Sequence, residues 1–254
     1  MIDIFPVRAF KDNYIWIVHN QQSALIIDPG DAAPVLTWIN QQKLQPVAIL
    51  CTHHHHDHTG GIPALVQVFA LPVYGPANEK IPGMTHPLVD GDVLSFPELP
   101  LELSVLDIPG HTAGHIAYYG QNYLFCGDTL FACGCGRIFE GSAQQMFNSL
   151  QKLASLPDET RIYCAHEYTL ANIRFARTID TNNLDLIKLE NVAEEKLKQN
   201  IPTLPSTLAV EKATNPFLRC DQPAVMHSAS QYAGRHLDDP VSVFAAIRDW
   251  KNNF

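Results

Sequence analysis

Thr52-His53-His54-His55-His56-Asp57-His58-Thr59-Gly60-Gly61 is the stretch on which the reading of this chain turns. It follows a short apolar run, Pro46-Val47-Ala48-Ile49-Leu50-Cys51, of the length and composition of a buried strand. It precedes Gly60-Gly61-Ile62-Pro63-Ala64-Leu65-Val66-Gln67-Val68-Phe69, a loop opening into a helix with Pro63 in its first turn. The histidines therefore sit where a strand ends and a helix begins, a place where loops carry chemistry. If the chain leaves the strand extended, His53 and His55 point to one side and His54 and His56 to the other. Two imidazoles on one side, followed by Asp57 and His58 at the turn, make a nitrogen and oxygen donor set suited to zinc or another first-row metal. A solvated loop or an affinity tag would explain histidines alone. A tag sits at a terminus without an interleaved Asp, however, and four adjacent histidines between two apolar segments solvate poorly.

Three later segments extend the pattern: Pro109-Gly110-His111-Thr112-Ala113-Gly114-His115, Phe125-Cys126-Gly127-Asp128-Thr129 and Cys164-Ala165-His166-Glu167-Tyr168. With the T-H-x-H-x-D-H stretch they occur in the order found in the metallo-β-lactamase superfamily, which the first two-thirds of the chain resembles. The resemblance implies two sheets packed face to face with helices outside and a metal site at one edge. It also implies two divalent metal ions per chain, zinc first, with iron or manganese as alternatives. His53, His55 and His111 would hold one ion, Asp57, His58 and His166 the other, and Asp128 would bridge them. Paired cations about 3.5–4 Å apart need such a shared carboxylate, and a bound water becomes hydroxide near neutral pH. Asp57 would also orient that hydroxide, so Asp57 and Asp128 are the candidate catalytic residues. His54, His56 and His115 are expected to pack around the ligands. His19, His86, His227 and His236 lack motif context and are expected at the surface.

At 254 residues the chain can bury a large core, with or without a smaller appendage. Its 46% hydrophobic and 17% charged residues describe a soluble globular protein and exclude a disordered one. A net charge of −9 argues against a nucleic-acid partner, which needs a basic stripe. No apolar run reaches membrane-spanning length and no secretory leader is visible, so no membrane partner and a cytoplasmic location are expected. The six cysteines lie mostly inside apolar stretches and read as reduced core residues.

Along the chain, strands are expected at 2–10, 13–18, 24–28, 73–74, 93–96 and 101–108, and a hairpin at 116–126 turning about Gly120-Gln121-Asn122. Helices are expected at 33–42 and 143–153, and the strand Arg161-Ile162-Tyr163-Cys164 delivers His166. After Tyr168 strand signals fade, and 170–178, 183–199 and 241–251 read as helices. Strands interrupted by helices mean a mixed α/β or α+β domain. The resemblance makes the expected class α+β, with the sandwich as a catalytic domain over 1–169 and the helices as a substrate-binding domain over 170–254.

A fold and a metal site host many reactions. A narrower resemblance selects among them. Gly127-Asp128-Thr129-Leu130-Phe131 with Gly134-Cys135-Gly136-Arg137-Ile138-Phe139-Glu140-Gly141, and Ala165-His166-Glu167-Tyr168-Thr169, are similar to segments of the glyoxalase II, or hydroxyacylglutathione hydrolase, family. Arg248 and Lys251 stand three apart on a helix, within about 60° of each other, and face one ligand. In the family such a pair binds the glycine carboxylate of glutathione; Tyr168 matches one further contact, a tyrosine, and Arg137 stands where the family often has lysine as another. Phe139 stands where some members have tyrosine. The implied reaction is hydrolysis of S-D-lactoylglutathione to D-lactate and glutathione, the second step of methylglyoxal detoxification, by a hydroxide shared between the metals. A monomer acting on a small glutathione thioester is expected. A β-lactamase, an RNA-processing phosphodiesterase, a one-iron persulfide dioxygenase and a non-enzymatic metal or redox module are the competing readings. The acidic balance, the Arg248/Lys251 pair and the complete ligand set disfavour them.

Overall fold

The computed structural model describes residues 2–254, arranged as two six-stranded sheets with helices around them. The first sheet runs in chain order through β1 (Asp3–Ala9), β2 (Asn13–His19), β3 (Ser23–Ile27), β4 (Gln45–Leu50), β5 (Val73–Pro76) and β6 (His86–Leu88). The first three strands pair antiparallel and the last three join in parallel. The second sheet holds β7 (Val93–Phe96), β8 (Leu101–Asp107), β9 (Ile116–Gly120) and β10 (Tyr123–Gly127) as an antiparallel meander. A two-stranded ribbon follows, β11 (Leu130–Phe131) with β12 (Gly134–Cys135). The second sheet is completed by β13 (Arg161–Cys164), parallel to β10, and β14 (Ser206–Thr207) at its edge.

The helices are α1 (Ala32–Gln42), α2 (His56–Thr59), α3 (Ile62–Phe69), α4 (Ala143–Ala154), α5 (Thr169–Ile179), α6 (Leu184–Lys198), α7 (Leu208–Thr214), α8 (Pro223–Ala233) and α9 (Pro240–Asn252). Local chemistry sets their starts. Asp31 caps α1 by accepting from the Ala33 N–H at 2.9 Å, and Asp239 caps α9 by accepting from Ser242 at 2.8 Å. Ser142 and Gln145 form a reciprocal capping box at α4, whose Met146, Leu150 and Leu153 fall on one buried face.

Strands β2 and β3 are apolar on both faces because both faces are covered. Tyr14, Trp16, Val18, Leu25 and Ile27 meet the second sheet, and Ile15, Ile17, Ala24 and Ile26 meet α1 and α3. The inter-sheet core continues without a break into Met146, Leu150, Val225, Val243, Phe244 and Ile247, so α4, α8 and α9 close over the second sheet's other side. Truncating a side chain such as Ile17 to Ala in this packing costs about 2–5 kcal/mol.

The sandwich with outer helices, and the helical run after Tyr168, match the expected architecture. The short elements β6, β11, β12, β14, α2 and α7, and the eleven-residue helix α8, are not among those expected from the residues alone. The cysteines are all free and buried, as expected. His86, His227 and His236 are exposed, whereas His19 is half-buried with its ring against Trp38 at 5.1 Å. No helix among the described residues is long and apolar enough to cross a membrane.

Candidate metal centre and the pocket beside it

The histidine run leaves β4 under restraint. Asp28 accepts from the Thr52 N–H and from Thr52 Oγ1, both at 2.8 Å, and Tyr118 donates its hydroxyl to the Cys51 carbonyl at 2.7 Å. Gly127 packs against the same threonine at φ +47°, and a Cβ there would collide with Thr52 Oγ1 and the His115 ring. Only glycine fits that close approach. The chain bends at Thr52 and His53 and enters α2 at His56, which brings the His53 and His55 rings together at 3.0 Å and leaves His56 exposed. His58 and Asp57 come from α2, His111 from the loop after β8, Asp128 from the turn after β10, and His166 from the end of β13.

These residues form two groups with a shared member. His53 Nε2 and His111 Nε2 each lie 3.0 Å from His55 Nδ1. Asp57 Oδ2 lies 3.6 Å from His58 Nε2 and 3.5 Å from His166 Nε2. Ligand nitrogens around a tetrahedral zinc are about 3.3 Å apart, close to these spacings. Asp128 stands between the groups, with Oδ2 at 3.5 Å from His111 and Oδ1 at 3.5 and 3.4 Å from His58 and His166. The donor atoms of His53, His55 and His111 lie within 4.8 Å of one another, as do those of Asp57, His58 and His166. His58 Nε2 and Asp128 Oδ1 are buried with no hydrogen-bond partner. Orphaned buried polar atoms are costly, and a cation between them removes the cost. The residues fit a metal.

Four of the five inward-facing imidazoles, all but His55, are tied at the other nitrogen, the arrangement that orients metal-binding histidines. His58 Nδ1 meets Asp28 at 3.2 Å, His166 Nδ1 meets Asp12 at 2.9 Å and His111 Nδ1 meets the Arg137 carbonyl at 2.8 Å. His53 Nδ1 meets Thr52 Oγ1, whose own proton is already committed to Asp28. Asn13 donates to Asp57 Oδ2 at 3.0 Å. His115 stacks on His53 at 4.6 Å, and its Nε2 accepts the Asp128 N–H at 3.2 Å, which makes it packing around the cluster. His54 turns away from the cluster to Glu79 at 3.0 Å and Glu140 at 3.4 Å. Glu79 also accepts from Thr112 Oγ1 and Gly114 N–H, and Glu140 from Ala113 N–H, so the His54 contacts tie the histidine run to the His111 loop. Asp12, Asn13, Asp28, Glu79 and Glu140 escaped the sequence reading. Glu140 lies in the segment similar to glyoxalase II and Asn13 opens an expected strand, but nothing in the residues marks any of the five as a partner of the histidines.

Charge divides the imidazoles. Burial pushes His53 well below the ordinary histidine range and lowers His55 and His111. Burial opposes charge on His58 and His166 too, but Asp128 outweighs it, with Asp28 helping at the first and Asp57 at the second. His58 is held well above its usual value and His166 is raised to about 10. Burial raises Asp57 and Asp128 as well, yet His58 and His166 hold both below the usual carboxylate range. Two carboxylates here demand positive charge, and without a cation protons on His58 and His166 supply it.

A cavity of about 670 Å³ opens from His111 and Asp128 toward α5 and α9. Arg137, Tyr168, Arg248 and Lys251 all line it, with Phe131, Phe139, Arg174 and Phe254. Tyr168 stacks parallel on His166 at 4.6 Å, and Phe139 sets its edge against His111 at 5.2 Å. Arg248 is buried, donates to the Cys135 carbonyl at 2.8 Å and to Asn252 at 3.1 Å, and lies over the Phe217 ring. Lys251 Nζ lies 4.8 Å above the Phe175 ring. Burial and then Arg248 push its ammonium down to about 8.

Two facing sheets with helices outside and a His/Asp cluster at one edge define a protein of the metallo-beta-lactamase superfamily, whose family model matches residues 9–166. The crystal structure of the BLEG-1 B3 metallo-beta-lactamase superposes with a TM-score of 0.63 at 25% identity, covering 86% of this chain and 99% of that one. A second model, hydroxyacylglutathione hydrolase C-terminus, matches residues 167–254. A hydroxyacylglutathione hydrolase of Nitrosomonas eutropha is 87% identical over 100% of both chains. One of Nitrosomonas europaea is 80% identical over 100% of this chain and 97% of that one. The chain belongs to the hydroxyacylglutathione hydrolase family.

Proposed function

We propose that this metal-dependent hydroxyacylglutathione hydrolase cleaves S-D-lactoylglutathione with water to D-lactate and glutathione at a binuclear site. His53, His55 and His111 hold one divalent cation, Asp57, His58 and His166 the other, and Asp128 is shared. Zinc is the ion proposed, since imidazole and carboxylate donors at these spacings suit it. The observation that carries the reading is the placement of Asp128, one oxygen toward His111 and the other, buried and partnerless, toward His58 and His166.

Two cations held there supply a hydroxide at neutral pH and a Lewis acid for the thioester carbonyl. The chain does the rest. Asn13 fixes Asp57 Oδ2, which leaves the other carboxylate oxygen to accept a hydrogen bond from the attacking water and aim it. Tyr168, stacked on His166, and Arg137, whose carbonyl holds His111, flank the path from the cluster into the cavity. Arg248 and Lys251 receive the glycine carboxylate. A thiolate leaves readily, so no acid is needed on the leaving sulfur.

Residues 1–169 form the catalytic unit in this reading and 170–254 the substrate-binding one, packed through a common core. Exposed large apolar side chains such as Phe10, Val68, Val93 and Leu184 are scattered over separate elements, which supports a monomer. Six unpaired cysteines support a reducing, cytoplasmic compartment. The reading is tested by following lactoylglutathione hydrolysis after stripping metal with a chelator and after refilling with zinc, iron or manganese. Activity should vanish and return with metal. Full turnover by the stripped protein, or none by the refilled one, overturns it.

A further inference from the structure

The cavity is lined by four cationic side chains, Arg137, Arg174, Arg248 and Lys251, and by one carboxylate, Asp128, which faces the imidazoles. The four are not equivalent. Arg248 and Lys251 are neighbours on α9, and Arg248 is buried with two donors committed to Cys135 and Asn252. Arg137 stands beside the cluster, because its carbonyl holds His111. Arg174 comes from another helix, α5; it is exposed and makes no hydrogen bond or ion pair among the described residues. A free guanidinium at a pocket rim is a ready partner for a carboxylate.

Glutathione brings two carboxylates on two arms that diverge from the cysteine. The glycine arm is the shorter, and the α9 pair satisfies one anion. The γ-glutamyl arm reaches roughly 10 Å from sulfur to carboxylate when extended, by ordinary bond lengths. Helix α5 runs outward from the reacting centre. Tyr168 at its cap stacks on His166, and six residues at 1.5 Å rise put Arg174 about 9 Å further along. Ala171, one turn before Arg174 on the same face, also lines the cavity and leaves room for the arm.

We propose that Arg174 binds the γ-glutamyl carboxylate of the substrate, a second anion subsite that selects glutathione thioesters over shorter ones. This rests on the glutathione reading above. The test compares S-D-lactoylglutathione with S-D-lactoyl-N-acetylcysteinylglycine, which keeps the glycine arm and lacks the γ-glutamyl carboxylate. Arg174→Ala should raise KM for the first about 2- to 5-fold, the range for an exposed ion pair, with kcat held. Arg174→Glu should raise it further, and Arg174→Lys should keep most of the wild-type value. None should change KM for the truncated thioester. Equal effects on both substrates, or no effect of Arg174→Glu on either, overturn the subsite while leaving the glutathione reading intact. Failure of the wild type to hydrolyse lactoylglutathione would instead overturn that reading.

Discussion

The metal cluster and the exposed rim of the cavity beside it are built on opposite plans. In the cluster, the outer nitrogens of His53, His58, His111 and His166 are all held, by Thr52, Asp28, the Arg137 carbonyl and Asp12. Around the cavity, Arg137 and Arg174 are exposed and end in space. A reacting centre gains from fixed donors, since small displacements at the reacting atoms cost rate. A pocket that grips parts of the substrate remote from the bond being broken needs only affinity, nearly the same in ground and transition states. Substitutions in the first region should therefore strike metal content and kcat, and those in the second KM.

The sharpest contrast is at the cluster. His53→Ala should remove a ligand, empty that half of the site and abolish nearly all turnover, as metal analysis and kinetics would show. Retention of both metals would break the comparison. In the cavity, Lys251→Ala should raise KM for glutathione thioesters roughly 10- to 150-fold, the cost of a lost charged hydrogen bond, and leave metal content alone. Arg248→Ala should add a loss of stability, because the Cys135 carbonyl and a buried space lose their partner. One step out from the ligands, Asp28→Asn keeps a residue tolerant of the φ of +51° but loses the charge that holds His58. Metal affinity should fall about 10- to 100-fold, read by competition with a chelator.

A pH profile sharpens the same division. Lys251 is cationic below about 8 and loses its charge above it, so kcat/KM should fall as pH rises through that value. The kcat measured at saturation should hold, because a bound carboxylate draws the proton back. Lys251→Arg, charged throughout, should abolish the alkaline fall. A profile unchanged by Lys251→Arg would place the ionisation elsewhere. The smallest effect is expected from His54→Ala, which leaves the inward-facing nitrogens in place and removes contacts to Glu79 and Glu140. Metal loss equal to that of His53→Ala would contradict the alternation of the run.

What was legible in the residues was what repeats or clusters locally. Strand Arg161–Cys164 falls where its apolar run predicts, and α4 begins at Ala143 as expected, with Ser142 and Gln145 forming its capping box. Helix α8 was missed because only Val225 and Ala229 are buried in it, too thin a stripe to give a period. β14 is two residues long and exists because β13 pairs with it. All the candidate ligands lie at the cluster, and the four candidate substrate contacts line the one cavity. The ligands stand in compact stretches between apolar strands, whereas the carboxylates that brace them do not. Asp12, Asp28, Glu79 and Glu140 are single acids in separate turns, brought to the histidines only by the folding of both sheets.

The claim that two cations share Asp128 is tested most directly by counting metal per chain in wild type and in Asp128→Ala while lactoylglutathione hydrolysis is followed. Two divalent ions in the wild type, with metal lost and turnover reduced well beyond the roughly 100-fold limit for an outer partner, are the predicted result. An Asp128→Ala protein that keeps two ions per chain and a near-normal rate would contradict it.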